Sequence, residues 1–163
     1  MPRDLDQMTR GLQAYLPQGG QITGIVALST GHSNETYLVE GLDRILRMPP
    51  SEEGLLPPYD MARQHAILDA VGKAHNGPPV PMMFELCTDA AVIGDPFFLM
   101  QRLEGEAFDH LAPDWMRDAP ANTVSAMCKQ FVGAVTALHG LPASLMPPGS
   151  RDVDQEVAHW LQV

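Results

Sequence analysis

Five residues, Thr30-Gly31-His32-Ser33-Asn34, interrupt two apolar-alternating runs in the stretch ALSTGHSNETYLVEGLDRILRMPP, Ala27 to Pro50. A glycine-containing hairpin of this kind can lay its backbone N–H groups against phosphate oxygens. The same residues also make an ordinary turn, and read alone they favour the turn. A second feature follows. Arg47, the second arginine of RILRM, shares a strand face with Ile45 and sits between Leu46 and Met48. A cation on the third strand can reach phosphates covered by such a loop, and a polar residue on the next helix can hold that cation. The competing reading is an arginine that snorkels to solvent or pairs with a surface carboxylate.

Other chemistry finds less support. His32, His65, His75, His110, His139 and His159 show no H-x-x-x-H or H-E-x-x-H spacing and no pairing with cysteine, so no zinc motif is present. There is no G-x-S-x-G nucleophile elbow; PASLM does not supply one. In LHGLP the pair His139-Gly140 is followed by Leu141, which carries no carboxylate. In RDVDQE, Asp152 and Asp154 open a helix, where carboxylates favour the dipole.

The elements that would position the loop and the arginine can be read from periodicity. Leu5, Met8, Leu12 and Leu16 fall on one helical face that Pro17 and Gly19-Gly20 end. Ile22 to Leu28, ETYLVEG and RILRM read as three strands of an antiparallel meander, with a turn at Gly41 to Asp43. A proline-broken loop, PPSEEGLLPPYD, leads to a helix from Tyr59 to Lys73, with Ile67, Leu68 and Val71 inward and Asp60 as its cap. MMFELCTD and PFFLMQRL are two more strands joined by the turn AAVIGD. From Asp114 onward only helical periods appear. The clearest is Asn122 to Leu138, with a wide apolar stripe of Val124, Met127, Cys128, Phe131, Val135 and Leu138. A last helix, DVDQEVAHWLQV, follows. The expected fold is α+β: a five-stranded antiparallel lobe with one helix over residues 1–104, then the start of a helical lobe over 105–163.

Composition narrows the partners. The 163 residues are 45% hydrophobic, enough for a real core, and 20 acidic against 10 basic side chains give a net charge of −10. Such a surface repels nucleic acid and anionic membranes at long range, so neither is expected as a partner. No apolar run is long enough to span a bilayer and the N-terminus has no signal-peptide pattern. Cys87 and Cys128 stand far apart and read as two buried thiols, consistent with a reducing, cytoplasmic compartment. The stripe on the Asn122–Leu138 helix is wider than one neighbour covers, so either self-association or further chain is expected there.

The runs GHSNETYLV, RILRMPP, MARQHAILDAV, VPMMFELCTDAAVIGDPFFLMQRLEGEAF and FVGAVTALHGLP, in this order from Gly31 to Pro142, resemble the aminoglycoside phosphotransferase-like kinases. The chain is most similar to the branch that includes the kinase-like part of acyl-CoA dehydrogenase fusion proteins. The stretch Cys87 to Gly105 is the most specific. The resemblance implies a protein-kinase-like fold that uses ATP and Mg²⁺ to phosphorylate a small-molecule hydroxyl. It implies that Gly31, His32, Ser33 and Asn34 cover the phosphates and that Arg47 takes the place of the third-strand lysine. Met100 would back the adenine, with the backbone of Gln101 and Leu103 pairing its edge.

Two departures qualify it. Gln64 stands where the family has a glutamate that pairs with the strand cation. The His-Gly-Asp catalytic loop, its downstream Asn and the later metal-binding Asp are not found in the 163 residues, so the resemblance yields no catalytic and no metal-binding residue in this chain. A non-catalytic, pseudokinase-like binding module is the alternative. The expected outcome is that the 163-residue chain by itself transfers no phosphoryl group. Measurable transfer from radiolabelled ATP by the pure chain would contradict this.

Overall fold

The computed structural model describes residues 3–28, 34–51, 59–105, 113–145, 147 and 153–160. Helix α1 spans Leu5–Tyr15 and is capped by Asp4, whose side chain accepts from the Gln7 N–H. Strands β1 (Gly24–Ala27), β2 (Glu35–Glu40) and β3 (Arg44–Met48) follow, then α2 (Met61–Lys73), β4 (Met83–Cys87) and β5 (Phe97–Gln101). Three helices come last: α3 (Asp114–Asp118), α4 (Ala121–His139) and α5 (Val153–Trp160).

The five strands form one antiparallel sheet in the order β1-β2-β3-β5-β4. β5 therefore enters between β3 and the edge strand β4 after the chain has passed through α2. Side chains alternate between faces along each strand, and the register sorts them. Tyr37 lies opposite Leu46, and Leu46 opposite Leu99, on the back face. That face closes on α1: Met8, Leu12 and Leu16 pack with Ile25, Tyr37, Val39, Leu46, Met48, Phe97 and Leu99 in one buried core. On the front face, Thr36, Arg47 and Phe98 form one cross-strand row, and Val26, Leu38, Ile45 and Met100 another. Val26 is exposed at the far end of its row.

Gly11 and Gly41 are among the glycines that close approach requires. A Cβ on Gly11 would lie 2.2 Å from the Val92 carbonyl oxygen, where α1 crosses the β4–β5 turn. Gly41 takes φ 89° in the β2–β3 turn, and a Cβ there would meet the Gln21 carbonyl oxygen at 1.8 Å.

The meander, the inserted helix and the β4–β5 pair stand as expected, with shifts at element ends. The first strand begins at Gly24 rather than Ile22, because a single 3-10 turn at Gly19–Gln21 uses buried Ile22 as its cap. α2 begins at Met61 rather than Tyr59, because the Asp60 side chain accepts from the Arg63 N–H at 2.8 Å and sets the first turn. Of its expected inward residues only Val71 is buried; Ile67 and Leu68 are half-buried, and Met61 takes the other buried position.

The reading of two buried thiols is corrected. Cys87 is buried in the core, but Cys128 is exposed, because α4 buries none of its side chains among the described residues. Phe131 on that helix is 71% exposed.

The α1–sheet core makes a direct expectation. Leu12 is fully buried between helix and sheet, so Leu12→Ala is expected to destabilise the fold by about 2–5 kcal/mol, as large-to-small changes in a packed core do. Chemical denaturation of both forms measures it.

Candidate functional site

The front face of the sheet carries a cation in an apolar setting. Arg47 projects from β3 with Thr36 of β2 on one side and the fully buried Phe98 of β5 on the other. Its Nε is buried and has no hydrogen-bond partner among the described residues. Burial lowers its pKa. The neighbouring arginine of the same strand shows what a satisfied one looks like. Arg44 Nη1 donates to Glu85 at 2.8 Å, and its guanidinium lies 4.0 Å from the Phe84 ring centroid. A buried polar atom without a partner costs about 1–3 kcal/mol, and more when the group is charged. Arg47 as a whole is half-buried, and no ion pair joins it to a carboxylate among the described residues.

A second orphan lies nearby in the chain: Asn34 is a bend residue directly ahead of β2, whose first residue, Glu35, pairs with Met48, the neighbour of Arg47 on β3. Asn34 is 8% exposed, and its Oδ1 is buried without a partner among the described residues. Which amide atom points inward is assigned from the surrounding hydrogen bonds, so the group can present either an acceptor or a donor. A flexible amide and a fixed guanidinium, both unsatisfied beside one loop, make an arrangement that an oxyanion could complete.

The remaining site residues divide. Gly31, His32 and Ser33 lie outside the described residues. Met100 is half-buried on the front face, opposite Ile45. Gln101 and Leu103 are exposed at and just beyond the end of β5. The Gln101 N–H donates to the Met82 carbonyl at 2.8 Å, and its side-chain Oε1 accepts from the Met82 N–H at 3.2 Å. Gln64 is half-buried on α2 and does not accept from Arg47 Nε. Beside it, His65 reaches the sheet. Its ring meets Phe98 edge-on at 5.7 Å, and its Nε2 lies 3.0 Å from the Phe84 carbonyl oxygen. His139 and Gly140 form the last residue and the cap of α4.

Sequence reasoning missed a polar network at the root of the loop. Glu35, the first residue of β2, takes hydrogen bonds from Arg3, from the Tyr37 hydroxyl at 2.7 Å and from the Ser51 N–H at 2.8 Å. Burial alone would raise the Glu35 pKa. The donors from Ser51, Arg3 and Tyr37 outweigh it and bring the group down to about 2. Burial and the adjacent Glu35 carboxylate push the Tyr37 hydroxyl up to about 12. No local pattern announces a pair 32 residues apart.

Among the described residues no cluster of three or more His, Cys, Asp or Glu side chains could hold a metal, and no helix is long and apolar enough to cross a membrane.

Comparison with known proteins gives the family and the fold. The phosphotransferase enzyme family model matches residues 24–162, and the chain belongs to that family. A probable acyl-CoA dehydrogenase of Arabidopsis thaliana is 36% identical over 115 residues, 67% of this chain and 14% of that protein. Acyl-CoA dehydrogenase family member 10 of Mus musculus is 34% identical over 111 residues, 64% of this chain and 10% of its own length. A solved chain from Ralstonia eutropha, assigned as an aminoglycoside phosphotransferase, superposes with a TM-score of 0.61 at 20% identity. That match covers 94% of this chain and 46% of the solved one. The fold is the α+β, kinase-like fold of that structure, and the chain spans only a small part of the curated relatives it matches.

Glu35 gives the site a pH signature. Its folded pKa lies below the ordinary 4.5, so it contributes stability that is fully present above that value and is lost as pH falls toward about 2. Wild-type protein is therefore expected to lose thermal stability across that window more steeply than Glu35→Gln. Parallel melting-temperature curves for the two forms would contradict the assignment.

Proposed function

We propose that the chain carries the nucleotide side of an ATP-dependent phosphotransferase that moves a phosphoryl group to a hydroxyl of a small molecule. The observation that carries this is the pair of unsatisfied buried groups, Asn34 Oδ1 directly ahead of β2 and Arg47 Nε on the neighbouring strand β3. A guanidinium presents several N–H donors in a fixed plane and suits phosphate oxygens. Family membership supplies the reaction class.

In this reading Gly31, His32, Ser33 and Asn34 cover the phosphates. Arg47 neutralises and orients them, with Gln64 able to accept from it when the nucleotide is in place. Met100 backs the adenine while the Gln101 carbonyl and the Leu103 N–H pair its edge. The Gln101 N–H is already committed to Met82, which leaves its carbonyl for that role. ATP brings Mg²⁺ in this reaction class. The described residues offer no cluster to hold the metal, so no step is derived through it. The contribution of this chain is binding and charge placement.

The division into a nucleotide-binding lobe over 1–104 and the start of a helical lobe over 105–163 belongs to the same proposal. Among the described residues, all five strands precede Gly105 and only helices follow it. The exposed Phe131, Val132, Val135 and Leu138 of α4 fit a face that a second copy or further chain covers. The acidic balance fits a cationic substrate such as an aminoglycoside, and a cytoplasmic location suits the free thiols. The absence of a carboxylate at Gln64 favours a second reading, a pseudokinase-like module that binds nucleotide without turnover. Calorimetry and turnover assays with Mg-ATP on the full-length protein separate the two.

The arginines provide the test. Arg47→Ala in the full-length protein is expected to weaken ATP use by about tenfold or more, the scale of a lost charge-assisted hydrogen bond. Arg44→Ala, which removes the Glu85 pair, is expected to change it by less than about twofold, as partly exposed pairs do. Equal effects on the Michaelis constant for ATP would show that the cleft arginine has been misassigned.

A further inference from the structure

We propose that Arg3, ahead of the first helix, is a positioning residue that ties together the three strand ends framing Arg47 and so holds Asn34 and Arg47 in place for phosphate. The proposal rests on the phosphotransferase reading above. Arg3 lies outside the family match, which begins at residue 24, yet its side chain is only 11% exposed. Its Nε donates to Glu35, its Nη1 to Asp95 at 2.7 Å and its Nη2 to the Pro49 carbonyl at 2.8 Å.

Each partner lies at or next to the end of a different strand, and all sit at the same end of the sheet. Glu35 opens β2 and immediately follows Asn34. Pro49 directly follows β3 and stands two residues past Arg47. Asp95 lies two residues before β5 begins, the strand that supplies Phe98 opposite Arg47. Because β2 and β5 both run antiparallel to β3, the start of each meets the end of β3. One planar guanidinium thus spans β2, β3 and β5 where the glycine loop leaves the sheet. Glu35 is fixed in turn by Tyr37 and Ser51.

The geometry asks for arginine. Its five donors point in set directions in one plane, whereas a lysine offers a single nitrogen that cannot reach three acceptors along separate lines. Asn34 Oδ1 and Arg47 Nε have no protein partner among the described residues to hold them. Their placement relative to one another depends on the backbone that carries them. Small displacements of groups that bind a reacting phosphate have large effects on affinity and rate.

The test compares wild type, Arg3→Lys and Arg3→Ala in the full-length protein, with calorimetric affinities for ATP and for adenosine. Arg3→Ala is expected to bind ATP about tenfold more weakly and adenosine within about twofold of wild type, because only the phosphate end loses its frame. Arg3→Lys should fall between them, and it carries the test if Arg3→Ala does not fold. Unchanged ATP affinity in both variants overturns the proposal, as does an equal loss for ATP and adenosine, which would mean general loosening. Hydrogen exchange without nucleotide provides a second readout. Segments 34–38 and 45–49 should exchange faster in Arg3→Lys, while α2 stays at wild-type rates; unchanged exchange at the strand ends also overturns it. A wild-type protein that binds no ATP, with the exchange difference intact, would overturn the phosphotransferase reading and leave the tying of the strand ends standing.

Discussion

A guanidinium set among apolar side chains without a partner is the constraint on which this structure turns. Arg47 shares its face with Ile45 and its cross-strand row with Phe98, and nothing described accepts from its Nε. A fold could remove that cost by placing a leucine or a paired arginine at the position. Arg44, three residues earlier, shows that the same strand can supply the paired solution, through Glu85 and Phe84. The register puts one arginine on the back side of the sheet with its carboxylate and leaves the other on the front side. The difference in environment follows from three steps along a pleated strand.

The rest of the architecture keeps that position fixed. β3 is a central strand, bonded to β2 and β5 on its two sides, so Arg47 sits on backbone that cannot fray from an edge. Behind it, α1 seals the opposite face with Met8, Leu12 and Leu16. The front face has no such cover from α1, and α2 approaches it through His65. One face is therefore closed by α1, while on the other Ile45 and Phe98 are buried on the side that α2 approaches, with the Arg47 Nε buried among them.

Much of this was legible in the sequence because it rests on short-range rules. The period of Leu5, Met8, Leu12 and Leu16 gave the back helix, Asp60 gave the α2 cap, and alternation put Arg47 and Ile45 on one face. The order of these pieces raised the family before any geometry was available. The failures were of three kinds. Element ends moved where a cap or a 3-10 turn competes with the strand, as at Ile22 and Met61. Long-range chemistry was invisible: Arg3 reads as one charge in a polar N-terminus, and only the folded chain brings Glu35 and Asp95 to it. Cys128 was misread because an apolar stripe predicts burial only when something packs against it, and nothing described does so for α4. For Gln64, sequence position marked the place, while the ring contact with the sheet belongs to the next residue, His65.

The N-terminal helix has a consequence for how the unit is delimited. Shared sequence begins near residue 24, but the physical unit begins earlier, because Gly11 abuts the Val92 carbonyl and Leu12 lies in the centre of the core. An expression clone trimmed to the conserved boundary would cut through the packing rather than around it. It would expose Ile25, Val39, Leu46 and Phe97 to water, and such a product is more suited to inclusion bodies than to assay. Homology marks where the common chemistry starts, and the packed core reaches further back along the chain, through α1 at Leu5–Tyr15.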